Sequence, residues 1–176
     1  MITFTPESVI RSAELNANFS GLADGSEILD GAITTAKISN PYKFWAYKTS
    51  DSAQSTGKVN LLSILYDTNG DYDNTTNYRY NVPVDGYYQF SFSIMHNVTA
   101  GNGYYAAIKI NGSYAIQGTR IISAYTNAGG WNCSNGSGLV YCTAGQYVEL
   151  YYQGDSRTIV AGAPNTFLSG YLVSET

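Results

Sequence analysis

Charge is scarce in this chain. Aspartate, glutamate, lysine and arginine make up 12% of its 176 residues, about half the share usual for a globular protein. Lysine and arginine nowhere cluster, and the formal net charge is −4. Nucleic-acid binding needs a positive footprint to displace counterions from phosphates, so that class of partner is excluded. Long apolar runs are missing too. None approaches the roughly eighteen residues of a membrane-spanning helix, so no membrane insertion is expected. Residues 1–16 lack the basic start and continuous apolar stretch of a signal peptide. Synthesis in a cytoplasm and delivery by assembly are the expectation.

The groups that usually carry chemistry are few. Histidine occurs once, at His96, and no GxSxG, HExxH, P-loop or CxxC pattern is present. A lone histidine after an alternating strand reads as a surface or strand-end residue rather than a general base. The 13 acids fall mainly in loops and in the N-terminal leader, which gives no indication of a glycosidase-type carboxylate pair. No catalytic residue and no cofactor is predicted. Cys133 and Cys142 flank Asn135-Gly-Ser-Gly138, which reads as a turn. That spacing permits a cross-strand disulfide, whereas reducing cytoplasmic assembly favours two free thiols. Asn18, Asn74, Asn97, Asn111, Asn132 and Asn135 each begin an Asn-X-Ser/Thr triplet. Without a secretory route these read as a by-product of composition rather than glycan acceptors.

What the chain does contain is tyrosine, 17 residues, glycine, 18 residues, and many β-branched side chains. Beyond residue 40 helix formers are scarce, and short apolar runs are separated by Asn-Gly, Asp-Gly and Gly-Asn turns. Such a pattern predicts an all-β sandwich. The most informative stretch runs from Ile64 to Ile94. Within it Tyr88, Phe90, Phe92 and Ile94 alternate with Gln89, Ser91 and Ser93, placing one face in a core and the other outward. Pro83 cannot donate a ladder hydrogen bond and so belongs before this strand, where Gly86 helps turn the chain. Along Tyr147–Gln153 one face carries Tyr147, Glu149, Tyr151 and Gln153 and the other Val148, Leu150 and Tyr152. Sequence does not fix which face fills the sandwich.

The segment Val82-Pro-Val-Asp-Gly-Tyr-Tyr-Gln-Phe90 resembles the globular head domain of complement component 1q, a jelly roll related to tumour necrosis factor. Further segments keep that family's order. Tyr105-Ala-Ala-Ile-Lys-Ile-Asn-Gly112 is similar to its strand ending in an Asn-Gly hairpin. Ser137 to Leu150 is similar to its paired strands around a tight turn, with Gln146 in place of the usual acid. Asn165-Thr-Phe-Leu-Ser-Gly-Tyr-Leu-Val173 is similar to its closing strand, with one residue inserted. The resemblance covers residues 41–176 and implies a jelly-roll sandwich of about ten strands that assembles as a homotrimer. Some members of that family bind calcium near the trimer apex, and Asp67-Thr-Asn-Gly-Asp-Tyr-Asp73 alternates oxygen ligands. Its glycine stands fourth rather than sixth and no glutamate closes the loop. The other reading is a turn in which Asn69-Gly70 supplies positive φ.

Residues 1–40 are of another kind. Val9, Ile10, Ala13, Leu15, Phe19 and Leu22 recur at helical spacing, with Ser8 or Ser12 as caps and Gly21 or Gly25 as stops. A helix this short needs partners. Ile28, Ile33 and Ile38 then repeat every five residues, a step that suits chains winding about a common axis. Glu14-Leu-Asn-Ala-Asn-Phe19 and Asp30-Gly-Ala-Ile-Thr34 resemble the N-terminal pieces of bacteriophage tail-fibre and virion-fibre proteins. This resemblance implies a stalk, residues 1–40, in which Leu15, Phe19, Leu22, Ile28, Ile33 and Ile38 dock to other virion proteins, of tail or capsid, and trimerise.

Together these readings predict a homotrimeric virion fibre protein whose head, residues 41–176, is a host-surface adhesin for a glycan or a protein. The expected contact loops are Thr99–Tyr104 and Ala124–Trp131. Asn102, Tyr104, Tyr125, Asn127 and Trp131 there offer adaptable polar groups and flat stacking surfaces. Surface tyrosines elsewhere suit either protomer contacts or sugar stacking. Two alternatives remain: a capsid head fibre or decoration protein that only projects, and a secreted complement 1q- or tumour necrosis factor-like ligand.

Overall fold

The computed structural model describes residues 42–98, 104–114, 120–123 and 130–176. Every regular element among them is a strand, as the alternation predicts. In chain order these are β1 (Lys43–Tyr47), β2 (Ser52–Gln54), β3 (Gly57–Lys58), β4 (Ser63–Asp67), β5 (Tyr72–Asp73), β6 (Arg79–Asn81) and β7 (Gly86–Val98). They continue with β8 (Tyr104–Ile110), β9 (Ser113–Tyr114), β10 (Arg120–Ser123), β11 (Gly130–Cys142), β12 (Tyr147–Gln153), β13 (Arg157–Ile159) and β14 (Phe167–Glu175). The N-terminal helix and the isoleucine repeat lie outside the described residues, as do all six stalk positions from Leu15 to Ile38.

The strands form two antiparallel sheets. The first runs β4-β1-β14-β7-β11, with β13 and β2 continuing beside β7. The second runs β5-β6-β12-β8-β10, with β3 against β12 and β9 against β8. Chain-consecutive strands repeatedly fall in opposite sheets, which is the winding of a jelly roll. Tyr88, Phe90, Phe92 and Ile94 from the first sheet meet Ile108, Val148, Leu150 and Tyr152 from the second, and all are essentially excluded from water. The inward face of β12 is therefore Val148-Leu150-Tyr152, leaving Tyr147, Glu149, Tyr151 and Gln153 outward.

Phe90 sits at the centre of the first sheet with a glycine on either side. Gly170 of β14 and Gly138 of β11 are its direct cross-strand partners. A Cβ on Gly170 would come within 2.5 Å of the Phe90 ring and 3.0 Å of Phe44. Large rings beside empty positions let both strands close over the core without a void. Phe44 and Tyr80 stack at 4.2 Å across the two sheets, giving the interior an aromatic spine.

Two sequence expectations need correcting. Asn135–Gly138 is not a turn. It lies in the middle of β11, where Gly136 and Gly138 face Phe92 and Phe90 across the ladder; those glycines accommodate rings rather than a chain reversal. Cys133 and Cys142 consequently share one strand, roughly 30 Å apart at the usual rise per residue, and no bridge between them is possible. Both are free thiols: Cys133 is exposed on the outer face, and Cys142 is buried, its thiol pushed up to about 11 by burial. The second correction concerns Ser137–Leu150. Its two strands are not paired with each other. Thr143–Gln146, with Gly145 at φ 85°, carries the chain from β11 in the first sheet to β12 in the second.

The Asn-Gly hairpin does form. Asn111 and Gly112 join β8 to β9 with φ of 49° and 76°, the left-handed pair that a two-residue hairpin requires. Asn111 Oδ1 also accepts the Tyr147 backbone N–H at 3.0 Å. Gly112→Val is expected to cost about 1–2 kcal/mol, the penalty for a β-carbon in the left-handed region, measurable as a lower denaturant midpoint with an unchanged slope.

Candidate functional site

The outer face of the first sheet gathers most of the exposed large apolar side chains among the described residues. Register and burial place Trp45, Tyr47, Phe167, Ser169, Tyr171, Tyr87, Gln89, Leu139 and Tyr141 on it together. Tyr66 of β4 extends it on one side and Trp131 of β11 on the other. Tyr66, Tyr87, Trp131, Leu139, Tyr141 and Tyr171 are 41–57% exposed. Their rings are already ordered: Tyr87 meets Tyr141 edge-on at 5.4 Å, and Trp45 stacks on Phe167 at 4.5 Å. Lys43 is the only charged residue among the outward positions of β1, β7 and β11. A face so depleted of charge and rich in tyrosine has the composition of a protein interface core.

Of the five expected receptor contacts, Tyr104 and Trp131 fall among the described residues. Asn102, Tyr125 and Asn127 lie outside the described residues. Trp131 is exposed on the first sheet's outer face. Tyr104 is buried, and its place as a surface contact is corrected: it begins β8 on the inward side, in phase with Ala106, Ile108 and Ile110. Its ring lies edge-on to His96 at 4.0 Å, and its hydroxyl accepts from Asn132 Nδ2 at 3.2 Å.

His96 is likewise not a surface residue. Because β7 extends to Val98, His96 keeps the inward phase of Tyr88–Ile94 and is fully buried. Nδ1–H donates to the Asn97 carbonyl at 3.3 Å, and Nε2 lies 3.5 Å from Ser134 Oγ. That serine and histidine pair is enclosed in the sandwich, out of reach of a substrate. Arg157 of β13, also buried, lies beside Asp155 at 3.9 Å. Burial holds the imidazole below its usual range. The Asn97 carbonyl opposes that effect and the Arg157 charge adds to it.

The unfolded chain takes up a proton near pH 6.5, whereas the folded chain resists it. Stability therefore falls as pH drops from about 6.5 toward the depressed folded value, and this group has no effect above that window. Thermal melts of the wild type between pH 7.5 and 5 are expected to show this slope. His96→Gln is expected to remove it.

The Asp67–Asp73 segment is a turn stitched by its own backbone. Asp67 accepts from the Gly70 and Tyr72 N–H groups, and Asp73 from those of Thr75, Thr76 and Asn77. These bonds hold the half-buried Asp73 carboxyl well below its usual range. The carboxylate oxygens point into the turn rather than toward one centre, and the described residues hold no cluster of three His, Cys, Asp or Glu suited to a metal.

Two antiparallel sheets wound in this order define the complement 1q/tumour necrosis factor type of jelly roll. No protein-family model matches the chain, and no curated protein matches it by sequence. Solved structures do. The globular domain of zebrafish complement 1qA aligns with 77% of this chain and 99% of its own, at 15% identity and a TM-score of 0.57. Eiger TNF from S. frugiperda aligns over 78% and 96%, at 11% identity and a TM-score of 0.59. Murine APRIL aligns over 74% and 99%, at 10% identity and a TM-score of 0.56. At these identities the likeness is one of fold.

Proposed function

We propose that the chain is a non-enzymatic, homotrimeric fibre protein of a bacteriophage virion, with the jelly roll as a host-surface adhesin. The observation that carries this reading is the charge-poor aromatic outer face of the first sheet. Exposed on a monomer it is an aggregation hazard; closed about a threefold axis it becomes a buried interface, since point-group symmetry uses each patch a fixed number of times. The virion assignment is supported by the N-terminal pattern, Glu14–Phe19 and the five-residue isoleucine steps, which suits a stalk docking to tail or capsid. With one sheet face turned inward, the loops and the second sheet remain for contact with a host.

Antibody raised against the chain is expected to label particles released from cells that carry its gene, and the purified full chain to bind the host cells of those particles. Labelled particles with a chain that binds no cells would sink the adhesin and leave a decoration protein. Unlabelled particles would remove the virion reading itself.

A further inference from the structure

The outer face of the second sheet carries a cluster that neither the core nor the self-association face uses. Tyr105 and Lys109 of β8, Tyr114 of β9, and Tyr151 and Gln153 of β12 all project from it. The Tyr105 and Tyr114 hydroxyls lie 2.7 Å apart, and both donate to Gln153 Oε1, from Tyr114 at 2.9 Å. Tyr114 and Tyr151 meet edge to face at 6.1 Å. The Lys109 ammonium is 3.4 Å from the Tyr151 ring centre and 4.6 Å from that of Tyr114.

Lys109 has a ready partner that it does not take. Glu149 stands directly across from it in the β8–β12 register, yet the Glu149 carboxylate pairs with Lys58 at 3.1 Å. Lys109 is held instead by two ring faces, a contact that satisfies charge but uses no N–H donor. Gln153 is similar: its Oε1 is occupied by the two hydroxyls, while no described residue accepts from its Nε2. One small area thus presents an ammonium and an amide whose donors no described residue matches, beside an exposed tyrosine ring fixed by its neighbours.

The complementary ligand supplies acceptors, negative charge and a flat C–H surface. A neutral sugar would use the ring and leave the ammonium unmatched; a simple anion would use the ammonium and leave the ring bare. We propose that the Tyr105–Lys109–Tyr114–Tyr151–Gln153 face binds an acidic saccharide, its carboxylate on Lys109 and Gln153 Nε2 and its ring on Tyr114. The inference deepens the adhesin reading by naming a glycan class and moving its contact from the loops to the second sheet.

Saturation-transfer NMR on the full chain with glucuronic acid, glucose and acetate tests it. A single sugar making these few contacts is expected to bind with Kd on the order of 1 mM. Glucuronic acid should receive saturation on its ring C–H groups and bind about tenfold more tightly than glucose, the weight of one charge-assisted contact. Lys109→Gln should erase that preference, and Tyr114→Ala should erase the saturation. Tyr114 is exposed, so the folded state of both variants is checked by an unchanged far-UV spectrum. Equal binding of glucuronic acid and glucose, displacement of glucuronic acid by equimolar acetate, or saturation that survives Tyr114→Ala would each overturn the site. Host-cell binding separates the two readings: a Lys109→Gln chain that still binds cells fully keeps the adhesin and discards this site. A chain that takes up the acidic sugar yet binds no cells does the reverse.

Discussion

Replacing Tyr141 with aspartate is expected to reduce the assembled protein to its 19.1 kDa chain mass. Tyr141 projects from β11 beside Tyr87, with no charged side chain at the outward positions on its own strand or on β7. In a closed threefold interface the new carboxylate would lose its water without gaining a partner, a penalty of several kcal/mol for each ion buried. Symmetry repeats that penalty in every protomer. In the isolated chain the position is 42% exposed, so folding itself should change by no more than about 0.5 kcal/mol. Tyr171→Asp should be milder, because Lys43 is its cross-strand neighbour and can partly neutralise the charge. Tyr114→Asp, on the opposite sheet, should leave the mass unchanged. If all three variants behave alike, the first sheet's face is not the interface.

The second large effect is on stability. Phe90→Ala is expected to cost about 3–5 kcal/mol, toward the upper end of that range. The cost of a cavity depends on how far its walls can collapse. Here two walls are glycines, Gly138 and Gly170, which have no side chain to lean in, and a third is Phe44, held in place by its stack on Tyr80. For a domain of this size a loss of about 4 kcal/mol lowers Tm by about 8–16 °C. Gly170→Ala is destabilising in the wild type, where its methyl group meets the Phe90 ring. In the Phe90→Ala background the same methyl group enters the vacated space. The double-mutant cycle should therefore show a favourable coupling well above the few tenths of a kcal/mol seen for independent sites. Additive losses would mean that Gly170 and Phe90 do not share that space.

These predictions rest on features of uneven legibility. Tyr88–Ile94 declared itself by alternation, and the same phase, continued two residues further, would have buried His96. Tyr104 was legible in the same way, two positions before Ala106 and four before Ile108, but its loop-like neighbours masked it. The misreading of Asn135–Gly138 has a different cause. An Asn-Gly pair is a local turn cue, whereas the demand for empty positions opposite Phe92 and Phe90 is set by a strand some forty residues away. Thr143–Gln146 shows the same limit: the turn was visible, but whether it joins partners in one sheet or crosses between sheets depends on the whole winding. The aromatic face was dispersed along the sequence as single tyrosines on β4, β7, β11 and β14. Only the pairing of those strands gathers them.

Self-association through that face is what a trimeric fibre requires. Light scattering on the full chain after size exclusion measures it directly. The expected result is three times the 19.1 kDa chain mass, held on dilution through the micromolar range. A particle of 19.1 kDa under the same conditions would contradict it, leaving the aromatic face exposed and the fold without a reason to carry it.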